Sequence, residues 1–189
     1  MAVIDNNSLA YIIVEADEGS FRGAALASDL RGIPVDFRYT EPIRPTKLEK
    51  ILYGNALEVY LKEELILESL IGAMEVKPAL WICKEQNLLM PLRMVTKSKV
   101  IALTNSNHPP LDSTGDYEPI GEAGVYYVQA DSVSAPLRIT FHPNVNENDI
   151  KFTVNLLVNA SQTMELTEPF SRIQKALSAI ASEVSGDGK

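Results

Sequence analysis

The sequence predicts a mixed α/β domain, and three features of its first half indicate this class. Three short strand-like runs come first, along residues 9–39. A sharply capped long helix follows at residues 46–74, and two short, fully apolar runs then flank a further helical stretch. Antiparallel strands followed by a strand–helix–strand unit form a sheet with both antiparallel and parallel neighbours. We therefore expect one mixed sheet with helices packed on it.

The first three strands are predicted to form an antiparallel meander. Residues 9–16 are an apolar run, interrupted only by Glu15 and rich in β-branched side chains, which is typical of a strand buried on both faces. Residues 21–28 are rich in glycine and alanine, and such small side chains would let a helix approach the sheet closely. Residues 33–39 alternate apolar and polar side chains, which predicts one buried and one solvated face. Because Pro34 cannot donate to a neighbouring strand, we expect this third strand toward an edge.

The long helix at residues 46–74 has a clear start and a weak interior. Thr46 and Glu49 form the pattern of a capping box, in which each side chain serves a backbone amide of the other. Gly54 interrupts the interior, so a bend is expected there. One apolar stripe is predicted to cover the sheet: Leu48, Leu52, Ala56, Val59 and Tyr60.

Two apolar runs, at residues 79–83 and 99–103, flank a helical stretch at residues 86–96. A helix between two fully apolar strands predicts a parallel crossover unit buried on both faces of the sheet. These elements complete the predicted mixed α/β sheet domain, residues 1–104.

The second half of the sequence differs from the first in composition. Residues 105–124 are rich in proline, glycine and asparagine, which predicts a long loop. Residues 125–189 are predicted to form a hairpin and a helical appendage packed on the same domain. Within them, residues 149–163 fit either a strand or a helix, and the helix is favoured. The last helix is better defined, because Thr167 supplies a cap before a regular apolar stripe.

Composition narrows the class of protein. The chain has 17 Lys and Arg against 25 Asp and Glu, a net charge of −8, which argues against nucleic acid as a partner. No apolar run is long enough to span a membrane, and the first residues lack the pattern of a signal peptide. A single cysteine, Cys83, is typical of a reducing compartment. We therefore predict a cytoplasmic protein without membrane contact.

The usual catalytic motifs are missing from the sequence. It has no phosphate-binding glycine loop, dinucleotide fingerprint, serine-nucleophile elbow or paired-histidine zinc motif. The two histidines, His108 and His142, have no partner at metal-ligand spacing, and Cys83 lies in an apolar strand. We therefore predict no bound metal and no cofactor.

Carboxylates are the remaining candidates for chemistry. Glu15, Asp17 and Glu18 cluster at the end of the first strand. The order of elements is three antiparallel strands, a helix, a parallel strand, a helix and a further strand, and it resembles the order in ribonuclease-H-like nuclease domains.

That resemblance implies a metal-dependent nuclease, whose Mg²⁺ ions are held by carboxylates on the first strand, the first helix and the end of the fourth strand. In this chain, residues 11–13 at the middle of the first strand include no acid, and Lys84 follows the fourth strand where a metal ligand is expected. The acids nearest the implied positions are Glu15, Asp17, Glu58 and Glu85.

Two surfaces are candidates for binding a protein partner. One is the apolar stripe of the last helix: Phe170, Ile173, Leu177 and Ile180. The other is the loop at residues 105–124, with Tyr117 and Tyr126 near its base.

These observations favour a binding or scaffold subunit of a larger cytoplasmic assembly, without a catalytic centre of its own and associated with another protein or a second copy. One alternative is a Mg²⁺-dependent nuclease-like enzyme, intact or degenerate. Another is a small-ligand-binding α/β protein, whose site would lie near Lys84 and Asn105 at the carboxyl ends of the parallel strands.

Overall fold

A computed structural model describes residues 4–186 of the chain, with side-chain surroundings for residues 7–183. Within this part of the chain, eight strands form one sheet in the order β3-β2-β1-β4-β5-β8-β7-β6. The strands are β1 (Ile4–Asp17), β2 (Ser20–Asp29), β3 (Pro34–Tyr39), β4 (Lys77–Cys83), β5 (Val100–Thr104), β6 (Tyr117–Pro119), β7 (Val125–Val128) and β8 (Leu137–Thr140). The mixed α/β class predicted from the sequence is confirmed.

Strand pairing follows the predicted order in the first half of the chain. β1 pairs antiparallel with β2, and β2 pairs antiparallel with β3, which lies at an edge of the sheet. β4 runs parallel to β1, with Leu9 opposite Leu80, and β5 runs parallel to β4. β8 then adds antiparallel to β5, followed by β7 and the short strand β6, which lies inside the predicted loop at residues 105–124.

The helical elements between and after the strands are α1 (Lys47–Tyr53), α2 (Leu57–Val59), α3 (Glu68–Ala73), α4 (Leu89–Thr96), α5 (Glu147–Ser161) and α6 (Glu168–Gly186). A 3-10 turn (Gly54–Ala56) and a π-helical segment (Tyr60–Leu67) join α1, α2 and α3. The ambiguous residues 149–163 lie mostly in α5, whose start is fixed by Asn146, because its side chain accepts a hydrogen bond from the Asp149 amide. Of the helices in residues 4–186, none combines the length and the apolar composition needed to cross a membrane.

Side chains of β1 alternate between two cores, one on each face of the sheet. One set packs with α5 and α6: Leu9, Tyr11 and Ile13. The other set packs with α3, α4 and the π-helical segment: Ala10, Ile12 and Val14. Burial on both faces explains why this stretch of β1 is a continuous apolar run and carries no acid before Glu15.

Small side chains on β2 allow a helix to lie close to the sheet. A Cβ built on Gly23 would lie 2.5 Å from Cγ2 of Ile66 and 3.1 Å from Cδ1 of Leu70. Ala25 and Ala27 face the same core. The close approach predicted from the composition of this strand is therefore confirmed, and Gly23 is the point where it is tightest.

The first part of the long helix departs from the prediction. Thr46 and Glu49 form the expected capping box, and Gly54, at φ +52°, ends α1 at the predicted bend. The apolar stripe before Gly54 does not cover the sheet, however, because Leu48 is 64% exposed and Leu52 is 71% exposed. The helical region reaches the core only from Leu61 onward, so the predicted stripe was wrong for α1.

Candidate functional site

The carboxyl ends of the parallel strands β4 and β5 meet at one edge of the sheet, where open α/β sheets commonly bind ligands. β4 ends at Cys83 and β5 ends at Thr104, so Lys84 and Asn105 follow directly at this edge. A cavity of about 320 Å³ opens between these two strand ends and α6. We refer to it as the strand-end cavity. It lies where the sequence predicted a small-ligand site.

In the part of the chain that the structure describes, one cation and several neutral polar groups line this cavity, and no carboxylate does. The lining residues are Lys84, Leu103, Thr104, Asn105, Thr167, Phe170, Ser171 and Gln174. Lys84 is exposed and has no ion-pair partner among the described residues. Its ammonium group, with hydroxyl and amide groups beside it, is suited to hydrogen-bonding anionic oxygens such as those of a phosphate.

The polar contribution of α6 was missed by the sequence analysis. Thr167 directly precedes α6, and Ser171 and Gln174 lie on it; their spacing of four and three residues places all three on the side that lines the cavity, beside the buried stripe. The apolar periodicity of this helix identifies its buried side alone. The same 4,3 spacing of polar side chains was the signal that could have identified these three residues.

Tyr11 lies behind the cavity wall. Its ring makes an edge-to-face contact with Phe170, at 5.3 Å between ring centroids. Its hydroxyl is buried and has no hydrogen-bond partner among the described residues. Burial, together with the charge of Glu165, raises the pKa of Tyr11 far above its ordinary value. Tyr11 therefore stays protonated and occupies, as a neutral group, the stretch of β1 where a nuclease of the implied kind would need an acid.

A second cavity, of about 220 Å³, adjoins the first and shares Asn105 with it. Its two carboxylates are engaged in local backbone contacts. Oδ1 of Asp131 accepts hydrogen bonds from the amides of Val133 and Ser134, at 2.8 and 2.7 Å. Glu165 accepts from the Thr167 amide at 2.8 Å. These acids shape the turns around the cavity and leave the strand-end cavity itself without negative charge.

The four acids considered for a nuclease centre are not brought together. Glu15 pairs with Arg22 at 2.6 Å near the end of β1, and Asp17 is exposed at the β1–β2 turn. Glu58 pairs with Lys62 along its own helical segment, and Glu85 is exposed one residue after Lys84. Within the part of the chain that the structure describes, no group of three His, Cys, Asp or Glu side chains could hold a metal ion. The side chains of residues 7–183 therefore do not fit a divalent-metal centre.

The cysteine and the two histidines are not among the described residues that line the strand-end cavity. Cys83 is buried, its thiol contacts the carbonyl of Ile101 at 3.5 Å, and burial raises its pKa to about 12. His108 stacks on Tyr127 at 4.1 Å between ring centroids. His142 lines a different cavity, at the opposite ends of the central strands.

The candidate partner surfaces are mostly internal. Phe170, Ile173 and Leu177 are buried between α6 and the sheet, each no more than 5% exposed. Ile180 is half-buried beside a cavity near the end of α6. The two tyrosines lie in the β6–β7 hairpin, where Tyr117 contacts Tyr126 and donates a hydrogen bond to Glu147. The stripe of α6 therefore stabilises the chain's own core and is not free for a partner.

Comparison with known proteins identifies the fold. No protein-family model and no curated protein sequence matches the chain. Among solved structures, endonuclease V from Bacillus subtilis matches 96% of this chain and 83% of its own, at 10% identity and a TM-score of 0.58. Endonuclease V from Streptomyces avermitilis matches 95% of this chain and 88% of its own, at 15% identity and a TM-score of 0.60.

A third similar structure contains nucleic acid. Endonuclease V from Ciona intestinalis, in complex with DNA containing an inosine followed by a ribo-adenosine, matches 94% of this chain and 87% of its own, at 11% identity and a TM-score of 0.53. These nuclease structures overturn two predictions from the sequence: the scaffold subunit defined by protein–protein interaction, and the exclusion of nucleic acid as a partner. At such identities the similarity shows the fold, and the chain shares that fold with endonuclease V.

Proposed function

We propose that this chain is a degenerate nuclease-like protein that binds nucleic acid at the strand-end cavity. One observation carries the proposal: among residues 7–183, the cavity between β4, β5 and α6 is lined by the ammonium group of Lys84, which has no ion-pair partner there, and by no carboxylate. Support also comes from the endonuclease V fold and from the DNA complex of a protein that shares it. The single buried cysteine suits a reducing compartment, and we propose the cytoplasm.

The charge of Lys84 decides which ligand the cavity favours. A nuclease that works through Mg²⁺ needs several converging carboxylates at the strand ends, so that the metal can attract phosphate oxygens. In this chain a fixed positive charge stands at the end of β4 instead. An ammonium group attracts a phosphate directly, and like-charge repulsion disfavours a divalent cation at the same place. The cavity therefore favours a phosphate group that binds directly to Lys84, without a bridging metal ion.

Neutral side chains around Lys84 give the cavity its hydrogen-bonding capacity. Asn105 and Gln174 each offer amide donors and an acceptor, whereas Thr167 and Ser171 offer hydroxyl groups. Hydroxyl and amide groups that converge with a cation hold a sugar–phosphate segment in one orientation. The negative surface of the rest of the chain, at a net charge of −8, limits binding elsewhere.

The test is the affinity of pure protein for a fluorescent DNA strand containing an inosine followed by a ribo-adenosine, the type of strand in the Ciona complex. Lys84→Gln should weaken binding about tenfold or more, because one charge-assisted contact contributes about 1.5–3 kcal/mol. Lys175→Gln is the matched control, since Lys175 lies on α6 but does not line the cavity. An equal loss of affinity in Lys84→Gln and Lys175→Gln, or no binding by the unmodified chain, would contradict the proposal.

An intact metal-dependent nuclease is the second candidate, and the fold itself favours it. It would have to assemble its metal ligands from Glu15, Asp17, Glu58 and Glu85, which the structure leaves in separate places. Mg²⁺-dependent cleavage of the same strand, abolished by Asp17→Ala in a folded variant, would establish this candidate and contradict the degenerate one.

A further inference from the structure

A third cavity, of about 240 Å³, lies at the other end of the central strands, where β5 begins and β8 ends. It is enclosed by the end of α4, the segment before β5, the residues after β8 and the first turns of α5. Its lining residues are Arg93, Lys97, Ser98, Lys99, Val100, Phe141, His142, Val145, Asp149 and Thr153. We refer to it as the basic cavity.

Positive charge is concentrated here in a chain that is acidic overall. Among the described residues that line the cavity, Arg93, Lys97 and Lys99 are accompanied by one carboxylate, that of Asp149. That carboxylate is already paired with Lys99 at 3.1 Å. Arg93, which is half-buried, and Lys97 have no ion-pair partner among the described residues. With His142 neutral, the cavity therefore carries two uncompensated positive charges.

The pKa of His142 depends on the charges that line the basic cavity. Burial and the nearby charge of Arg93 lower the pKa of His142, whereas Asp149 acts in the opposite direction. Both the imidazole of His142 and the guanidinium group of Arg93 line the basic cavity, so an anion bound there would lie near both. A neutral imidazole can donate one hydrogen bond to an anion, and it gains a second donor on protonation.

The local backbone also favours an anion. Lys97 adopts φ +52° as it ends α4, and its amide bonds the carbonyl of Arg93 at 3.0 Å, which fixes the turn that carries both cations. α5 begins at Glu147, beside the cavity, and the amino end of a helix favours negative charge. The carbonyl end of α4 accounts for cations at residues 93 and 97, but it does not account for Lys99 and His142 across the cavity.

We propose that the basic cavity binds a phosphate dianion, whose charge matches its two uncompensated positive charges. Two sources supply such a dianion: the terminal phosphate of a nucleic acid strand, which is a monoester, and free inorganic phosphate. Arg93 supplies a planar pair of donors and Lys97 supplies a point charge. Lys99 remains with Asp149, and His142 completes the set of donors.

The experiment follows the imidazole proton signals of His142 by NMR while inorganic phosphate is added to the full chain. Binding should shift these signals in a saturable way and raise the pKa of His142, because an anion stabilises the imidazolium form. Arg93→Gln and Lys97→Asn should each weaken binding about tenfold or more. Asn tolerates the left-handed backbone at position 97, so Lys97→Asn remains informative if Arg93→Gln does not fold.

Arg138→Gln is the matched control, because it removes one arginine charge from β8, outside the basic cavity, and should leave phosphate binding unchanged. A comparison of 5′-phosphorylated and 5′-hydroxyl dinucleotides then separates the two sources. Preference for the phosphorylated dinucleotide over inorganic phosphate assigns the site to a strand end, and equal affinity assigns it to the free ion. The absence of saturable shifts, or equal binding by both cavity variants and the unmodified chain, would overturn the proposal.

Discussion

Gly23 is the residue where the packing of the helical layer on the sheet is least tolerant. Replacing it by Ala places a methyl group 2.5 Å from the Ile66 side chain and 3.0 Å from the Ile13 carbonyl oxygen, so the helix or the strand must move. We expect Gly23→Ala to lower the free energy of unfolding by about 1–3 kcal/mol, as overpacking does elsewhere. Urea denaturation followed by circular dichroism measures this.

Gly72→Ala is the control for that experiment. Gly72 lies in α3, and a methyl group added there would meet open space, so the same substitution adds helix propensity without a clash. It should leave stability unchanged or raise it by up to about 1 kcal/mol. If both variants behave alike, the close approach at Gly23 is wrong.

Cys83 should be inert in the folded chain. Burial, with a smaller effect from Glu85, raises the pKa of its thiol to about 12, whereas the pKa of an exposed thiol is about 8.5. At pH 8 the folded thiol is therefore almost entirely protonated and shielded, so alkylation by iodoacetamide should be far slower than in urea. The raised pKa contributes stability that is complete below about pH 8.5 and is lost as the pH rises toward 12. Rapid labelling of the native chain would contradict this account.

At the scale of elements, the long helical region divides into an exposed part and a buried part. Leu52 on α1 is 71% exposed, whereas Leu67 in the π-helical segment is fully buried. Leu52→Ser should change the free energy of unfolding by no more than about 0.5 kcal/mol. Leu67→Ala should cost about 2–5 kcal/mol, because it leaves a cavity beneath the sheet. Thermal unfolding of the two variants distinguishes this arrangement from a continuous buried stripe, for which both would be costly.

The last helix permits a sharper test of internal packing. Leu177 is 2% exposed and lies in the core with Ile173 and Tyr11, so Leu177→Asp would bury an unpaired carboxylate. We expect a loss of more than about 3 kcal/mol in the isolated chain. Lys175→Asp is the control at an exposed position of the same helix, and calorimetry of both variants gives the comparison. An unchanged melting temperature for Leu177→Asp would mean that the helix does not pack on its own sheet.

Local patterns predicted most elements, because each had a signal within a few residues. The capping box at Thr46 and the apolar runs of β4 and β5 correspond to elements of the structure. The alternation at residues 33–39 located β3, but the buried apolar face predicted for it was wrong, because Ile33, Val35 and Tyr39 are 49%, 46% and 48% exposed at this edge of the sheet. Periodicity could not show what the apolar side of α1 would meet. That depends on the direction of the chain after Gly54 and on where the sheet ends, and both are tertiary properties.

At the scale of the whole molecule, the strand ends could be located from the sequence, but the complete site could not. Lys84 and Asn105 follow parallel strands, so their meeting was predictable. Thr167 and Gln174 reach the same cavity from a helix more than sixty positions later, which only the packing of α6 reveals. The exclusion of nucleic acid failed for a related reason: a net charge of −8 is an average over the chain, whereas the strand-end cavity contains no acid.

The charge distribution also predicts a weak dependence of binding on salt. Few cations are both unpaired and gathered at a cavity, so few counterions can be released when DNA binds. We expect the logarithm of the binding constant to fall with the logarithm of salt concentration at a slope of about −1 to −3, given about −0.9 per neutralised phosphate. Titrations at several salt concentrations measure this slope. A slope of about −6 would require a broad basic surface that residues 7–183 do not show.

We propose that this chain, which has the fold of endonuclease V, binds nucleic acid through Lys84 in place of a metal centre. The most direct measurement incubates a labelled DNA strand, containing an inosine followed by a ribo-adenosine, with pure protein in Mg²⁺ or in EDTA, and then separates bound, free and cleaved strand on native and denaturing gels. We expect equal binding in both conditions, an intact strand, and binding that is weakened about tenfold or more in Lys84→Gln. Cleavage that requires Mg²⁺, or binding that disappears in EDTA, would contradict it.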